Sequence, residues 1–546
     1  MESAVERGWI VSLSIAAKCG ELSADPARLL SLALVVAVCW ISTLLLHWAS
    51  PGGPAWGRYR WRRRRPSGPV HTIPGPRGLP VLGSMALMSG LAHRKLAAAA
   101  AAIPGARRLM AFSLGETRVV VTCDPDVARD ILNSPNFADR PANESAYGLM
   151  FQHSIGFAPY GDYWRALRRI SATHLFSPKQ VSAFARHRAD IAAQMVRALN
   201  SRVGAHPIQL RGIMKQAALN HVMWFVFGRQ YGLEQDTEET RELRSVVDEG
   251  YDLLGKLNWS DHLPIIAGLD LQRVQSRCSQ IVRRVDRFVT RIMLDHRLQR
   301  AQNPDELPRD FVDVLLSLQG SERLSDSDMV AVLWEMIFRG TDTVAVLMEW
   351  VFARLVMHGE VQARVQLELD AVVGRDRGVT DAEGAALPYL QAVIKETLRV
   401  HPPGPLMSWA RMNTDDAIVG GALVPAGTTA MVNMWAIARD PTVWPDPLRF
   451  DPDRFMGAAA SEFSVMGSDL RLAPFGAGRR GCPGKGMAMA TVELWVAALA
   501  HEFEWLPPSD GGAAEGGVDL SEVLRLSCEM ASPLTVRLRR RRPALA

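Results

Sequence analysis

Cysteine is scarce in this chain. Its 546 residues hold six, at 19, 39, 123, 278, 482 and 528, with no CxxC pair and no regular spacing. That usage fits a reduced compartment, excludes a disulfide scaffold and argues against a zinc or iron–sulfur site. An excess of one charge is also missing. The 62 Lys and Arg face 57 Asp and Glu, a net charge of +5 that owes much to the arginines at 58–65 and 537–542. This disfavours a nucleic-acid binder and makes a membrane surface the better partner. No repeat period appears. What remains is an ordinary folded composition, 48% hydrophobic and 22% charged, with enough apolar content for a sizeable core. The length prior alone suggests three or more domains, although large single-cofactor enzymes exceed it.

Long apolar runs without charge are confined to residues 29–48, twenty residues with no formally charged side chain. As a helix they extend about 30 Å, enough to cross a bilayer once. Six arginines follow between 58 and 65, whereas 1–28 holds four acids and three bases. The positive-inside rule therefore predicts a lumenal 1–28, a signal anchor at 29–48 and a cytosolic bulk. A cleaved signal peptide fits less well, because the run starts late and leads into PGGPAW and arginines. The Pro/Gly segment IPGPRGLPVLG, 73–83, can be neither helix nor central strand, so 49–83 reads as a basic, proline-rich linker and hinge. From about 92 to 318 amphipathic helical stretches dominate, with one strand predicted at 117–122 and a surface loop at 302–309.

The densest chemistry lies at PFGAGRRGCPG, 474–484. Cys482 stands alone in a tight turn, where Gly478 permits the turn and Gly484 a close approach. Arg480 offers a fixed fork for a carboxylate, and Phe475 can shield the sulfur. The helical periodicity after Gly484 puts Cys482 at a helix start, where the unpaired amides of Gly484 and Lys485 favour a thiolate. A second stretch, 325–358, starts with a capping pattern, Ser325 with Asp328, and runs without proline at helical periodicity. Four charges in its interior, Glu335, Arg339, Asp342 and Glu349, argue against a second span. It reads as a long interior helix interrupted by Gly340, Asp342 and Thr343.

The cysteine run matches F-x-x-G-x-R-x-C-x-G at all five specified positions and so resembles the haem-binding signature of the cytochrome P-450 superfamily. Other motifs follow in that family's order over nearly the whole chain. Residues 339–343 resemble the oxygen-activating A/G-G-x-D/E-T, which makes Thr343 and Asp342 the catalytic pair that delivers protons for dioxygen activation. Glu396 and Arg399 resemble the family's E-x-x-R. FDPDRF, 450–455, resembles its P-E-R-F segment, with Asp453 where glutamate is usual. The resemblance implies a buried network of Glu396, Arg399 and Arg454 that fixes the cysteine loop. Trp164 and Arg168 are similar to the family's W-x-x-x-R, and with Arg480 and Arg411 they would neutralise two haem propionates.

The implied fold is mainly α with a small β region, a haem-thiolate domain at 84–546 behind one membrane helix. Haem b is the implied cofactor, Cys482 its axial metal ligand, and the implied partners are an NADPH-dependent reductase, dioxygen, a small lipophilic substrate and membrane lipid. The endoplasmic reticulum is the implied location. SPGGPAW and FRGTDTVA resemble the plant subfamily linked to organ growth and leaf initiation, which suggests a growth regulator and a fatty-acid-like substrate. Two departures stand out. Arg339 replaces a small residue that would face the haem, and Val344 a common Thr or Ser. Arg339 reads either as an ion pair with Glu335 or Asp342, or as a cation that receives an acidic substrate. Two rival functions share Cys482: a haem-thiolate isomerase or dehydratase, which an intact Asp342–Thr343 pair disfavours, and a membrane haem-binding protein without turnover.

Overall fold

The computed structural model describes residues 26–62, 72–204, 207–233, 237–384, 386–407, 410–457, 463–467, 469–508 and 517–541. Most of 1–28 and arginines 63–65, on which the topology reading rests, lie outside them.

The longest helix shows how the sequence shapes the core. Ser325 accepts the Asp328 amide at 3.1 Å and caps the helix Asp326–Met357, which then continues unbroken for 32 residues. It is apolar on nearly every side, so it is buried nearly all round, with Trp334 0% and Trp350 1% exposed. The interruption expected at Gly340 does not occur. That glycine instead lets the neighbouring helix Arg211–Phe227 come close, since a Cβ there would lie 2.6 Å from Val222 Cγ2. The helices Glu238–Gly255, Val274–Gln302, Gly359–Val372, Pro388–Val400 and Lys485–Glu502 also pack against it. The surface loop expected at 302–309 follows Val274–Gln302 and is exposed.

The β region is small. Thr117–Thr122, the strand read from TRVVVT, pairs with Met110–Leu114 antiparallel and with Thr429–Val432 in parallel, and Arg411–Met412 completes the four-stranded sheet. A separate hairpin, Glu522–Leu524 with Cys528–Met530, packs near the interior helix.

The apolar run forms the helix Pro26–Trp48, whose segment Leu29–Trp48 is long and apolar enough to cross a membrane and holds no buried residue. The stretch after it differs from the expected linker. Residues 51–57 dock on the sheet through Trp56, 2% exposed, whose indole N–H reaches Phe112 O at 3.1 Å and Val119 O at 3.3 Å. The Ala55 amide donates to Ser113 Oγ at 3.1 Å, and that hydroxyl donates to Gly52 O at 2.6 Å. Gly53 sits at φ +83°, with space for a Cβ closed off by Arg77 O at 2.3 Å. Trp48 Nε1 donates to Gly78 O at 2.7 Å, so the end of the apolar helix and the proline segment are held together. Periodicity could not reveal this, because the docking partners are strands some sixty residues away.

Candidate active site

The loop 474–484 folds back on itself: the Cys482 amide donates to Phe475 O at 2.9 Å, and the Gly481 amide to Gly478 O at 3.0 Å. Gly478 adopts φ +65° with its α-carbon against Leu132, where a Cβ would lie 2.0 Å from the carbonyl oxygen. Gly484 has ordinary angles, φ −88° and ψ 14°, and precedes the helix Lys485–Glu502. Its lack of a side chain matters because Phe176 Cε1 would stand 3.2 Å from a Cβ. The Phe475 ring packs against the main core, and it is its carbonyl that holds Cys482.

The Cys482 side chain retains open surface although protein packs densely around it, so it faces an internal cleft. Burial raises the thiol above its ordinary pKa, against the pull of Arg339, the Gly484 amide, Arg168 and Lys485. The helix start was expected to favour the thiolate. It does donate the Gly484 amide, but desolvation outweighs it, and Lys485 acts through its charge. A metal cation at the sulfur would reverse the balance, because a coordinating thiol loses its proton outright.

Guanidinium groups gather near this cleft. Arg480 is buried and donates to Ala138 O at 2.8 Å, Ala158 O at 2.6 Å and Ile155 O at 3.4 Å. Arg168 Nη1 reaches Gly481 O at 2.9 Å. Trp164 donates its indole N–H to Ile155 O at 2.9 Å, and its ring lies under Arg480 at 4.4 Å and Arg168 at 5.8 Å. It is thus a platform for two cations, and its N–H serves the protein's own backbone. Arg411, on the edge strand of the sheet, is buried, and its Nη1 makes no hydrogen bond. Burial, then the charges of Arg480 and Arg168, lower its pKa to about 9. Arg480 is lowered to about 10 by burial, partly offset by Asp139.

A further arginine escaped the sequence reading. Arg140 is buried, donates to Gly156 O and Ala410 O at 3.0 Å each, and is held well below its ordinary pKa by burial and by Arg411, Arg480 and Arg339. It lies in an irregular loop, FADRP, where no periodicity or pairing signal points to it.

On the interior helix, Asp342 and Thr343 are adjacent but differently engaged. Asp342 Oδ1 pairs with Lys215 Nζ at 2.9 Å, and Lys215 also reaches Asp248, half exposed, at 3.0 Å and Glu529 at 3.9 Å. Burial works against the Lys215 charge, but Asp342 and Asp248 outweigh it and raise its pKa. Thr343 Oγ1 donates to Arg339 O at 3.4 Å. One turn earlier, Glu335 accepts the Gly156 amide at 2.8 Å and fastens the loop carrying the Ile155 and Ala158 carbonyls to the helix. Burial raises the Glu335 pKa, opposed first by the charge of Arg339. Lys215 was also missed, since 127 residues separate it from Asp342.

Glu396 and Arg399 are fully buried, with both carboxylate oxygens 2.7 Å from the guanidinium. Arg399 also donates to Ala438 O, Pro447 O and Arg449 O at 2.9, 2.8 and 3.1 Å. Arg454 Nε stands 3.5 Å from Glu396 Oε1, which also accepts the Asp451 amide at 2.9 Å. Asp453 lies outside this network and pairs with Arg364 at 2.8 Å.

A mainly helical domain around a lone, cleft-facing cysteine and a cluster of arginines defines a class, and comparison with known proteins agrees with it. The family described as Cytochrome P450 matches residues 73–514. Over 534 residues the chain is 58% identical to Cytochrome P450 78A6 of Arabidopsis thaliana, covering 97% of this chain and 98% of that one. It is 50% identical over 553 residues to Cytochrome P450 78A11 of Oryza sativa subsp. japonica, with 98% and 97% covered. It is 36% identical over 474 residues to an Arabidopsis thaliana protein named Flavonoid 3'-monooxygenase, with 85% and 90% covered. The chain belongs to the cytochrome P450 family. It is accordingly a monooxygenase, and family membership implies haem, a redox partner, dioxygen and a lipophilic substrate.

Proposed function

We propose that this protein is a membrane-anchored monooxygenase of the endoplasmic reticulum, with 1–28 lumenal, 29–48 in the bilayer and 84–546 cytosolic. It inserts one oxygen atom into a small lipophilic substrate, fatty-acid-like in its apolar chain, with electrons from NADPH through cytochrome P-450 reductase. The product is a plant growth regulator.

The residues fit haem b. The observation that carries this is the pairing of a cleft-facing Cys482 with buried guanidinium groups whose mutual repulsion, and the unbonded Arg411 Nη1, call for an anion. Cys482 would ligate the iron, with Gly478 and Gly484 keeping the backbone close and Phe475 holding the cysteine amide. Arg411, Arg480, Arg168 and Arg140 would face the propionates, with Trp164 beneath two of them. The haem supplies dioxygen activation when bound.

The chain's own part is to hold charge and move protons. Asp342 pairs with Lys215 Nζ, and Lys215 touches the half-exposed Asp248, which gives exchangeable protons a path from the surface to the helix turn bearing Thr343. Glu335 seats the loop 154–158, and Glu396, Arg399 and Arg454 hold the segment before the cysteine loop. Arg339 lies in the field of Glu335 and Cys482, so its charge acts first on the protein's own groups. The test is reconstitution of the full chain with reductase and NADPH against a lipid and fatty-acid panel under ¹⁸O₂. One labelled oxygen atom per product is expected. Isomerised products without label, or no NADPH consumption with any substrate, would favour the rival functions.

A further inference from the structure

Three buried side chains, one of them some 430 residues from the other two, converge where the helix Ala92–Ala102 meets the C-terminal hairpin. His93 lies in the first turn of that helix, Glu522 opens the strand Glu522–Leu524, and Cys528 opens Cys528–Met530. One ligand atom from each lies within 4.8 Å of the others. His93 is 0% exposed, and neither ring nitrogen makes a hydrogen bond. Its Nε2 stands 3.4 Å from Glu522 Oε2, an electrostatic contact outside hydrogen-bond geometry. Each such unsatisfied atom costs about 1–3 kcal/mol, so an imidazole buried this way calls for a ligand on its nitrogen.

We propose that His93 Nε2, a Glu522 carboxylate oxygen and Cys528 Sγ form a zinc site. The donor set of one nitrogen, one oxygen and one sulfur suits zinc, whose bonds of about 2.0–2.3 Å place tetrahedral ligands roughly 3.3–3.7 Å apart. The 3.4 Å separation of His93 Nε2 and Glu522 Oε2 is already in that range. Binding releases the Cys528 thiol proton to solvent, and thiolate and carboxylate together cancel the charge of the ion. Arg94 donates to Glu522 Oε2 at 2.8 and 3.1 Å and would orient the ligating carboxylate.

His401 is excluded as a ligand although its Nδ1 lies 3.5 Å from Glu522 Oε1. Its Nε2 accepts from Arg354 at 3.0 and 2.8 Å, so Nδ1 carries the proton. The protein therefore supplies three ligands, and a water completes the shell. Cysteine spacing reveals only sites whose ligands lie close in sequence, whereas here His93 joins Glu522 and Cys528 from the other end of the chain. The ion would tie the helix to the hairpin, whose turn abuts Gly255, where a Cβ would stand 2.6 Å from the Arg525 carbonyl carbon.

The haem-loaded full chain, incubated with zinc chloride alone and desalted, should hold about one zinc per molecule by elemental analysis. Zinc-edge X-ray absorption should show one sulfur in the first shell. His93→Ala and Cys528→Ser should each retain less than about a fifth of that zinc, and Glu522→Gln, which keeps the shape of the site, should also lose most of it. Wild type with less than about a tenth of an equivalent, a first shell without sulfur, or full zinc retention by Cys528→Ser would overturn the assignment.

Discussion

Replacing Arg399 with alanine removes five hydrogen bonds at once. Two go to Glu396 and three to the carbonyls of Ala438, Pro447 and Arg449. Glu396 then keeps only the Asp451 amide at 2.9 Å and the Arg454 contact at 3.5 Å, and it remains fully buried. Breaking a buried ion pair in this way costs about 3–5 kcal/mol. The orphaned Ala438 carbonyl, whose bond is buried, adds roughly 1 kcal/mol, whereas the part-buried Pro447 and Arg449 carbonyls can turn to water. A loss of about 4–6 kcal/mol is expected, a large part of the about 5–15 kcal/mol that holds a protein folded. Glu396→Ala should cost a comparable amount, because Arg399 is then the unpaired buried charge. The double variant should be more stable than the sum of the two losses predicts, by about 2–3 kcal/mol. Arg399→Lys should fall between, since an ammonium keeps the charge but cannot reach two oxygens and three carbonyls with one fork. Urea unfolding of the full chain, followed by tryptophan fluorescence and haem absorbance, measures all four. A loss below about 1 kcal/mol for Arg399→Ala, or strict additivity in the double variant, would refute the reasoning.

Lys215→Met should leave haem binding intact but divert NADPH-derived electrons from product to peroxide by about tenfold or more. It should also enlarge the solvent isotope effect on turnover, with Lys215→Arg restoring both; unchanged coupling would remove Lys215 from the proton path. Arg339→Ala should weaken acidic ligands and their matched esters alike in spin-state titrations, because the charge of Arg339 acts on Glu335 inside the protein. A loss of about 1.5–3 kcal/mol confined to the acids would instead make Arg339 the receiver of a substrate carboxylate. His296 lies buried against Asp310 at 2.9 Å; burial lowers its pKa, but the bond and charge of Asp310 outweigh it and raise it above 6.5. That stabilisation is complete below pH 6.5 and is lost as pH rises through the higher folded value. The stability gap between wild type and His296→Ala, measured by urea unfolding, should therefore shrink with rising pH; a gap that widens would refute the pairing.

Much of the site was legible because its demands are local. A turn that needs φ +65° beside Leu132 shows in the sequence as Gly478, and a helix start shows as Ser325 with Asp328. The strand at 117–122 was legible from β-branched residues alone. Glu396 and Arg399 were readable only by their place in the order of motifs, since a helical i,i+3 ion pair carries no mark of burial. What stayed hidden depends on contacts between distant segments. Arg140 sits in a loop without period, Lys215 meets Asp342 across two helices, and the two-residue strand Arg411–Met412 exists only by pairing with Thr429–Val432. Trp56 looked like part of a linker because the carbonyls that hold its indole belong to strands formed much later in the chain. The same reason hid the His93, Glu522 and Cys528 cluster.

The claim that Cys482 ligates haem through its sulfur is tested most directly by the absorption spectrum of the reduced carbon monoxide complex. Wild type should show the strongly red-shifted Soret band of thiolate-bound haem, and Cys482→Ala should lose that band while the fold around Glu396 and Arg399 persists. An unshifted wild-type band, or a normal red-shifted band in Cys482→Ala, would contradict the account.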